Sequence, residues 1–490
     1  MKNRHAVRSR WALPVALSMG AIAAGALISA PVLADPKSDF FQPDAFRTGK
    51  ALEKRTAGWV DPAGRDCPVP DGPLTLPAAV NLALCRNPAT RSAWAAARLQ
   101  AATLGSAESA WLPSVSVTGS ETRDFGVHVA VTGATDTQDQ DTGDAAVALT
   151  WLLYDFGGRG AKVQGARLLL DASALTLGRT SQQTVFNVVQ AYYGAVAGNA
   201  AVAAAKTAED AYKHSVDIAT ALQRGGAASL SDVLQAETAY DQAVITRLQL
   251  EYQAQTAAGT LAVTIGSPAD QGLKVAAEPV PAEVPALTGR IADLMAKAER
   301  QRPDLAAAIA QRDAAIANVT VARAVGRPSI SMQAARTYSN ATGVPTQNYN
   351  QVGLYVTIPI FTGFNVDYGV RQAQASLESS EVNVDQIRLT VSSDVWTAYY
   401  FLDSANQSLG ASATLVKTAD ANQQVALGQY QAGVGTILNV LTALEEAATA
   451  AQARITAELN WEVSRAQLAL ALGRLTGTEP LAAAADPASP

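Results

Sequence analysis

The chain of 490 residues is poor in histidine, with three, and in cysteine, with two. His128 and His214 stand alone, without the neighbouring ligands that a metal site needs. The sequence contains no Ser/His/Asp grouping, no nucleotide-binding glycine loop and no pair of catalytic carboxylates. The adjacent acids Glu209 and Asp210 fit a solvated helix face. We therefore expect no enzymatic activity and no bound metal or cofactor.

Long apolar runs are also scarce, and the one present lies at the N-terminus. Four basic residues within the first ten precede the apolar segment 11–32, and Val32-Leu33-Ala34 offers small residues before a cleavage site at Asp35. This pattern predicts a secretory signal peptide over residues 1–34, although an uncleaved anchor would also fit. The residue directly after the predicted cut, Asp35, is not a cysteine, which argues against lipid attachment at the new N-terminus. Beyond it no run of about 20 apolar residues predicts a transmembrane helix, but membrane strands leave a weaker trace.

Beyond the predicted signal peptide, lysine and arginine do not cluster. The formal net charge is −6, and removal of the four basic residues of the signal takes it to −10. Binding to a phosphate backbone needs clustered cations. Nucleic acid is therefore not an expected partner.

The two cysteines, Cys67 and Cys85, lie close together in the N-terminal region. In an oxidising compartment an isolated pair favours a disulfide, and export favours such a compartment. The bridge would tie a proline-rich leader to the first helix. Two separate buried thiols are the alternative.

The main positive feature is a unit that occurs twice. Landmarks recur at a spacing of 215 residues up to Pro113 and of 207 beyond Tyr154, as in Pro88/Pro303, Pro113/Pro328, Tyr192/Tyr399, Gly226/Gly433 and Gly266/Gly473. The eight-residue difference confines the variation in length to one segment. A tandem repeat of this kind indicates a shape rather than a catalytic centre. We divide the chain into a signal peptide 1–34, a leader 35–73, repeats 74–266 and 291–473, a linker 267–290 and a disordered tail 474–490.

Each repeat reads as two helices, a β-hairpin, a very long helix, a turn and a second long helix. Proline suits the first turn of a helix, so helices should begin at Pro88 and Pro303 and end before Pro113 and Pro328. Period-two alternation predicts strands near 114–118, 147–153, 329–332 and 352–360, with exposed loops over 121–143 and 336–349. Proline-free segments from about 161 to 222 and from about 368 to 430 predict helices of roughly 90 Å. Such lengths indicate coiled-coil or tubular packing.

Aromatic residues gather near the ends of the predicted strands, where a membrane–water boundary would attract them. They are Trp111, Trp151, Tyr154, Tyr338, Tyr349 and Phe361. The alternative is an ordinary hairpin packed on a core. If the hairpins enter lipid, four strands cannot close a barrel and open edges cannot face hydrocarbon. Several copies of the chain must then pool their strands.

At this point the chain resembles the TolC-type outer-membrane channels of Gram-negative export systems. The resemblance runs from about Leu74 to Gly473 and rests on the order of motifs in both repeats. These are the Asn-Pro and Arg-Pro breaks, the Pro-led strands, the exits Tyr154-Asp155-Phe156-Gly157-Gly158 and Phe361-Thr362-Gly363, and the segment from Tyr430 to Leu441. The segment Leu84-Cys85-Arg86-Asn87-Pro88, with Cys67, resembles the CyaE-like branch that serves type I protein secretion.

The resemblance implies a mainly α fold with a transmembrane β-barrel contribution. A homotrimer would close a twelve-stranded barrel in the outer membrane and a twelve-helix tube in the periplasm. Each chain would contribute four strands and two coiled helical pairs. The partners would be outer-membrane lipid, a periplasmic adaptor protein, and an inner-membrane ABC transporter or proton-driven pump.

The glycine turns would then form a closable periplasmic tip. The residues assigned to this aperture are Arg224, Gly225, Gly226, Asp232, Gly433, Gly435, Asn439 and Thr442. Family members often place aspartates and an arginine there, and Asp232 matches one acidic position. Asn439 and Thr442 are not acidic, and Gly435 stands where TolC itself has arginine, so a less acidic aperture is expected. Asp232 also suits a helix N-terminus on electrostatic grounds alone.

The function expected from this resemblance is a passive exit duct of a tripartite export system, most specifically for type I protein secretion. One alternative keeps the fold and makes the chain the outlet of a proton-driven drug or metal efflux pump. Another is a soluble periplasmic coiled-coil scaffold with surface hairpins.

Overall fold

The computed structural model describes residues 44–56, 67–70, 72–129, 135–276 and 290–475. The predicted signal peptide, residues 277–289 of the predicted linker and residues 476–490 of the predicted tail lie outside the described residues. Met1–Ala45 and Phe46–Pro490 are separate units, and every element below belongs to the second.

The order of elements in the two repeats is the same. The first repeat contains α2 (Leu76–Arg86), α3 (Pro88–Ser109), β1 (Ser114–Val129), β2 (Thr135–Tyr154), α4 (Gly158–Arg224) and α5 (Leu230–Thr264). The second contains α6 (Ile291–Gln301), α7 (Pro303–Ala324), β3 (Ser329–Ala341), β4 (Val344–Thr357), α8 (Asn365–Gln431) and α9 (Ile437–Ala471). A further helix, α1 (Thr48–Arg55), lies in the leader, where no helix was predicted.

The proline breaks act as predicted. Pro88 and Pro303 are the first residues of α3 and α7, where a missing amide costs nothing. Asn87 caps α3 by accepting a hydrogen bond from the Ala89 amide at 2.8 Å. The Arg302 side chain makes no such bond at the start of α7. The same bend is therefore formed with and without a capping side chain.

The four strands form one antiparallel sheet in the order β1-β2-β3-β4. Most of the predicted loops 121–143 and 336–349 are strand, and this prediction was wrong. Ladder pairs continue from Glu121 opposite Gly143 to Val129 opposite Thr135. Polar side chains do not prevent pairing because the ladder bonds are made by backbone groups. The predicted fourth strand, 352–360, ended three residues too late, since β4 ends at Thr357 and Pro359 has no amide to donate to a ladder.

The register gives the sheet one apolar and one polar face. Val117 lies opposite Val147, and Ala334 lies opposite Val352, on the apolar face. The other face carries serine, threonine, glutamine and aspartate, as at Ser120 opposite Asp144. The apolar face is not covered within the chain: Val117 and Val352 are both 75% exposed.

The long helices α4 and α8 each contain 67 residues, and the returning helices α5 and α9 each contain 35. A 67-residue helix measures about 100 Å. Helix α4 packs on α5, α7 and α9, and α8 packs on α9 and α7. Small residues permit close approach, since a Cβ at Gly198 of α4 would lie 3.1 Å from the Cα of Ala254 on α5.

The last helix of each repeat ends beside the proline bend between the first and second helices of that repeat. Gly266 follows α5 with φ +82°, and a Cβ there would lie 2.9 Å from the backbone of Arg86. Gly473 follows α9 with φ +74°, and its Cβ would lie 2.9 Å from the carbonyl oxygen of Gln301. Glycine is needed at both positions because of the left-handed backbone and because of the contact.

Three further contacts hold the leader and the start of the linker on the first repeat. Cys67 and Cys85 form a disulfide that joins the leader to α2. Leu74 forms an isolated parallel bridge with Val275. The hydroxyl of Tyr192, which is fully buried in α4, donates a hydrogen bond to the Ala276 carbonyl at 2.7 Å. None of the helices that the structure describes combines the length and the apolar character needed to span a bilayer.

Candidate functional site

The two helical hairpins, α4–α5 and α8–α9, end beside each other in glycine turns. Gly226 and Gly433 both have φ +74°, and nothing lies within 4 Å of a Cβ built on either. The Ala227 amide donates to the Leu222 carbonyl at 2.8 Å, and the Val434 amide donates to the Gln429 carbonyl at 2.9 Å. Both turns therefore end a long helix with the same left-handed closure.

An apolar cluster joins the two hairpin ends. Its buried residues are Ala219, Val233, Ala236, Tyr430, Ile437, Val440 and Leu444. They come from α4, α5, α8 and α9, so all four helices meet here. The arrangement keeps the two turns together and leaves the residues around them exposed.

Matching caps begin the returning helices. Ser229 accepts a hydrogen bond from the Asp232 amide at 3.2 Å, and its hydroxyl donates to the Asp232 carboxylate at 2.7 Å. Thr436 accepts a bond from the Asn439 amide at 3.3 Å. Asp232 and Asn439 thus hold equivalent places in the first turn. The carboxylate has a structural role in the cap and a favourable interaction with the helix dipole.

The structure brings the predicted aperture residues into one region with different surroundings. Arg224 and Gly225 are exposed beside the first turn. Gly435 packs closely, since a Cβ there would lie 3.1 Å from the Gln429 Cβ. Thr442 is exposed on α9 and lines a cavity described below. The aperture role of these residues stays a prediction.

Tyr430 was not singled out as a site residue from the sequence, although it sits at the centre of the tip. Its side chain is 4% exposed, and its hydroxyl has no hydrogen-bond partner among the described residues. Burial raises the pKa of Tyr430, and the nearby negative charge of Asp232 raises it further. A neutral phenol on α8 therefore faces the acidic start of α5. The signal that could have identified it is its place one turn before the glycine turn.

Next to these hairpin ends, α4, α5 and α9 line a cavity of about 630 Å³ that is open to solvent on one side. Seven alanines and three leucines supply most of its wall. The polar part of the wall includes Tyr212, Gln242, Thr442, Glu445 and Gln452. Neither lysine nor arginine lines it.

The predicted membrane-interface aromatics lie mainly where the sheet meets the helices. The Trp151 indole donates to the Trp111 carbonyl at 3.0 Å, and the Arg159 guanidinium lies 4.3 Å from the Trp111 ring centre. Tyr154 packs edge-on against Phe156 at 4.8 Å. These contacts fix the junction between β2 and α4.

The β2–β3 pairing contains a bulge between Leu152 and Tyr154. Trp151 pairs with Met332 and Tyr154 with Ile330, so both aromatic residues lie on the apolar face although they are three positions apart. Tyr338 lies four residues after Ala334 on β3. It is therefore on the same face, towards the end of the sheet farther from the helices.

Phe361 and Tyr349 complete the predicted set. Phe361 follows β4, is 75% exposed and packs edge-on against Phe364 at 5.5 Å. Tyr349 pairs with Thr337 on the polar face. The register therefore places Tyr349 on the opposite face from Trp151, Tyr154 and Tyr338.

A charged cluster that the sequence did not predict ties α7 to α4 and α8. Arg302, 2% exposed, donates to Asp394 at 2.6 Å and to Asp304 at 3.0 Å. Arg179 lies 3.7 Å from Asp304. Burial tends to raise the pKa of Asp304, but the hydrogen bond from Arg302 and the two positive charges hold that pKa below its ordinary value. The corresponding positions of the first repeat carry no charge, as at Asn87 and Asn187.

Comparison with known proteins gives a consistent result. The sequence model described as "Outer membrane efflux protein" matches residues 79–267 and 294–474. Protein CyaE of Bordetella pertussis is 29% identical over 427 residues, covering 84% of this chain and 87% of that protein. Outer membrane protein TolC of Escherichia coli K12 is 22% identical over 319 residues, covering 62% of this chain and 64% of that protein.

Solved structures share the fold. The outer-membrane channel OprN superposes with a TM-score of 0.73 at 22% identity, covering 81% of this chain and 89% of that chain. VceC from Vibrio cholerae, an outer membrane protein, gives a TM-score of 0.69 at 19% identity, covering 81% and 96%. The predicted repeat of long helices with four strands per chain is confirmed as the fold of these channels.

Proposed function

Because the chain belongs to the outer membrane efflux protein family, we propose that it is the exit duct of a type I protein secretion system. It is an outer-membrane channel that extends into the periplasm, and it is not an enzyme. It is a component of an efflux or secretion system that spans both membranes. The soluble scaffold is not proposed, because the family lies in the outer membrane.

The observation that carries the channel function is a sheet that one chain leaves incomplete. Strands β1 and β4 are the two edges, and neither has a second partner within the described residues. The apolar face between them is exposed, with Leu354 at 69% and Val356 at 61%. Lipid can cover that face, but it cannot satisfy the backbone groups of two open edges. Neighbouring copies must pair β4 of one chain with β1 of the next.

The long helices of one chain also leave apolar stripes without a partner among the described residues. On α8, Val382, Leu389 and Trp396 recur every seven residues and are 62%, 74% and 51% exposed. On α5, Ile245 and Tyr252 form a similar exposed stripe at 49% and 67%. A heptad stripe without a partner is the seam of a coiled coil. Packing α8 of one protomer against α5 of the next would therefore close the helices in the same direction as the strands.

We propose that three copies close the ring, which gives twelve strands and twelve long helices. The polar face of the sheet then lines the lumen, and the glycine turns form the periplasmic end that an adaptor protein meets. The aperture would carry Asp232 from the first hairpin and the uncharged Asn439 and Thr442 from the second.

Type I protein secretion is favoured over drug efflux by the similarity to CyaE together with the motif around Cys85. The inner-membrane partner would be an ABC transporter that delivers an unfolded protein. A proton-driven pump that delivers drugs or metal ions is the second candidate, which the description of the family as efflux proteins supports.

The test of cargo is deletion of this chain in its host, followed by analysis of the secreted proteins and of drug susceptibility. We expect one or a few large proteins to disappear from the medium, with drug tolerance unchanged. Increased drug sensitivity with an unchanged set of secreted proteins would reject type I secretion in favour of efflux.

The test of closure is the oligomeric state of the detergent-extracted protein. We expect a trimer that heat dissociates on gels. Leu389→Asp should weaken it, while Thr390→Asp, one residue along and off the heptad, should not. A folded monomer, or equal effects of the two variants, would count against ring closure through this seam.

A further inference from the structure

The cavity between α4, α5 and α9 has a composition that points to a ligand. Alanines on facing helices, such as Ala205 and Ala208 on α4 and Ala243 on α5, leave a gap of about 630 Å³. Cavities of roughly 300–1,000 Å³ hold drug-sized molecules. The gap is thus large enough for an organic molecule, and its walls are mainly apolar.

One formal charge lies in this wall. Glu445 on α9 has no hydrogen-bond or ion-pair partner among the side chains that the structure describes, and no cation lines the cavity. The nearest arginine of α5, Arg247, is bound to Glu209 and lies 3.0 Å from Glu251. Lys206 on α4 lies 3.7 Å from that same Glu251. These cations are therefore committed to other carboxylates.

An aromatic ring stands near the carboxylate. Tyr212 on α4 lines the same cavity. Burial raises the pKa of its hydroxyl, and the negative charge of Glu445 raises it further. The two side chains are therefore close enough to interact. A carboxylate and a tyrosine ring together attract an organic cation, the ring by its quadrupole.

We propose that this cavity binds amphipathic organic monocations, with the cationic group at Glu445 and Tyr212 and the apolar body against the alanine walls. A single carboxylate is too few ligands for a metal ion. The exposed carboxylate of Glu445 would repel an anion, and a neutral molecule would gain no attraction from it. The site does not depend on the type of cargo, since its residues lie above the predicted aperture and only Thr442 belongs to both.

The test uses the purified full-length protein in detergent and tetraphenylphosphonium as the probe, with binding measured by equilibrium dialysis against detergent alone. We expect saturable binding of one probe per chain. Glu445→Gln should weaken it at least tenfold. The matched control is Glu446→Gln, because Glu446 lies outside the cavity and accepts a 3.0 Å hydrogen bond from Asn422. That variant should bind within twofold of the unaltered protein.

Two further measurements separate charge from shape. Triphenylphosphine oxide, a neutral probe of similar apolar surface, should bind the unaltered protein at least tenfold more weakly than the cation. Ala243→Leu, which fills the gap and keeps Glu445, should also weaken binding of the cation. The absence of saturable binding would overturn the proposal. So would equal binding to the Glu445→Gln and Glu446→Gln variants, or unchanged binding to a folded Ala243→Leu protein.

Discussion

Substitution of Gly473 by alanine should destabilise the protein much more than the same change at Gly433. The two glycines share φ +74°, so the alanine pays the same backbone penalty at both. They differ in their surroundings. A Cβ at Gly473 would lie 2.9 Å from the Gln301 carbonyl oxygen and 3.0 Å from the Arg302 Cα, whereas a Cβ at Gly433 meets nothing within 4 Å.

The magnitudes follow from these two terms. A left-handed backbone costs an L-residue about 1–2 kcal/mol. Forcing a methyl group against packed backbone adds roughly 1–3 kcal/mol, because the carbonyl and the Cα cannot rotate away as a side chain would. We therefore expect a loss of about 1–2 kcal/mol for Gly433→Ala and of roughly 2–5 kcal/mol for Gly473→Ala.

The assay is thermal unfolding of the detergent-solubilised protein, followed by far-UV circular dichroism. Protein concentration must be fixed, since the stability of an oligomer depends on it. The same comparison can be made in the first repeat, with Gly266→Ala as the packed position and Gly226→Ala as the open one. Equal shifts within each pair would refute the claim that the closing glycines are required by contact as well as by φ.

Three other predictions concern stability. The pKa of Asp304 is lowered in the fold, so its carboxylate stabilises the protein fully above its ordinary value of 3.8 and loses that contribution as pH falls through the lower folded value. Melts from pH 6 to pH 2 should therefore fall more steeply for the unaltered protein than for Asp304→Asn, and parallel curves would contradict this. Cys85→Ser removes a disulfide between cysteines 18 residues apart, and the free energy of unfolding measured by chemical denaturation should fall by about 3 kcal/mol. Equal stability of the oxidised and reduced forms of the unaltered protein would contradict this. Tyr192→Phe should cost about 1 kcal/mol through a lost buried hydrogen bond, while Tyr430→Phe, whose hydroxyl has no partner, should be neutral or stabilising in the same melts; the reverse order would show that Tyr430 is bonded in solution.

The helical part of the fold could be predicted because its signals are local. Proline at Pro88 and Pro303 sets helix starts, and glycine at Gly226 and Gly433 sets helix ends, each through its own backbone geometry. The absence of proline over sixty residues is enough to indicate a very long helix. Repetition of these signals in one order adds specificity that no single motif has.

The sheet and the buried charges could not be predicted in the same way. The strands extend through polar sequence because ladder bonds need only backbone, so composition hides their true length. The bulge at Leu152 changes which residues share a face, and Tyr349 falls on the polar side as a result of register alone. Arg302 and Asp394 are 92 positions apart, so no local sequence pattern around either residue predicts their contact.

The ends of the two helical hairpins could be predicted, but the apolar cluster that joins them could not. The glycine turns and the position of Asp232 follow from the sequence, whereas burial of Tyr430 depends on four helices meeting. The cavity near Glu445 could not be predicted from the sequence either. Alanine in a helix normally indicates close packing, whereas here it leaves a gap between three helices.

The equal lengths of the paired helices impose a rule on how such a chain can change. Removing one residue from α4 alone would draw its turn back by about 1.5 Å and rotate it by about 100°, while the turn after α8 stayed where it was. Whatever protein docks against the ends would then meet an uneven rim. Only insertions or deletions made in both repeats, close to whole heptads, would lengthen or shorten the duct and keep its mouth level. The depth to which the duct reaches into the periplasm is therefore set twice in one chain, once by each repeat.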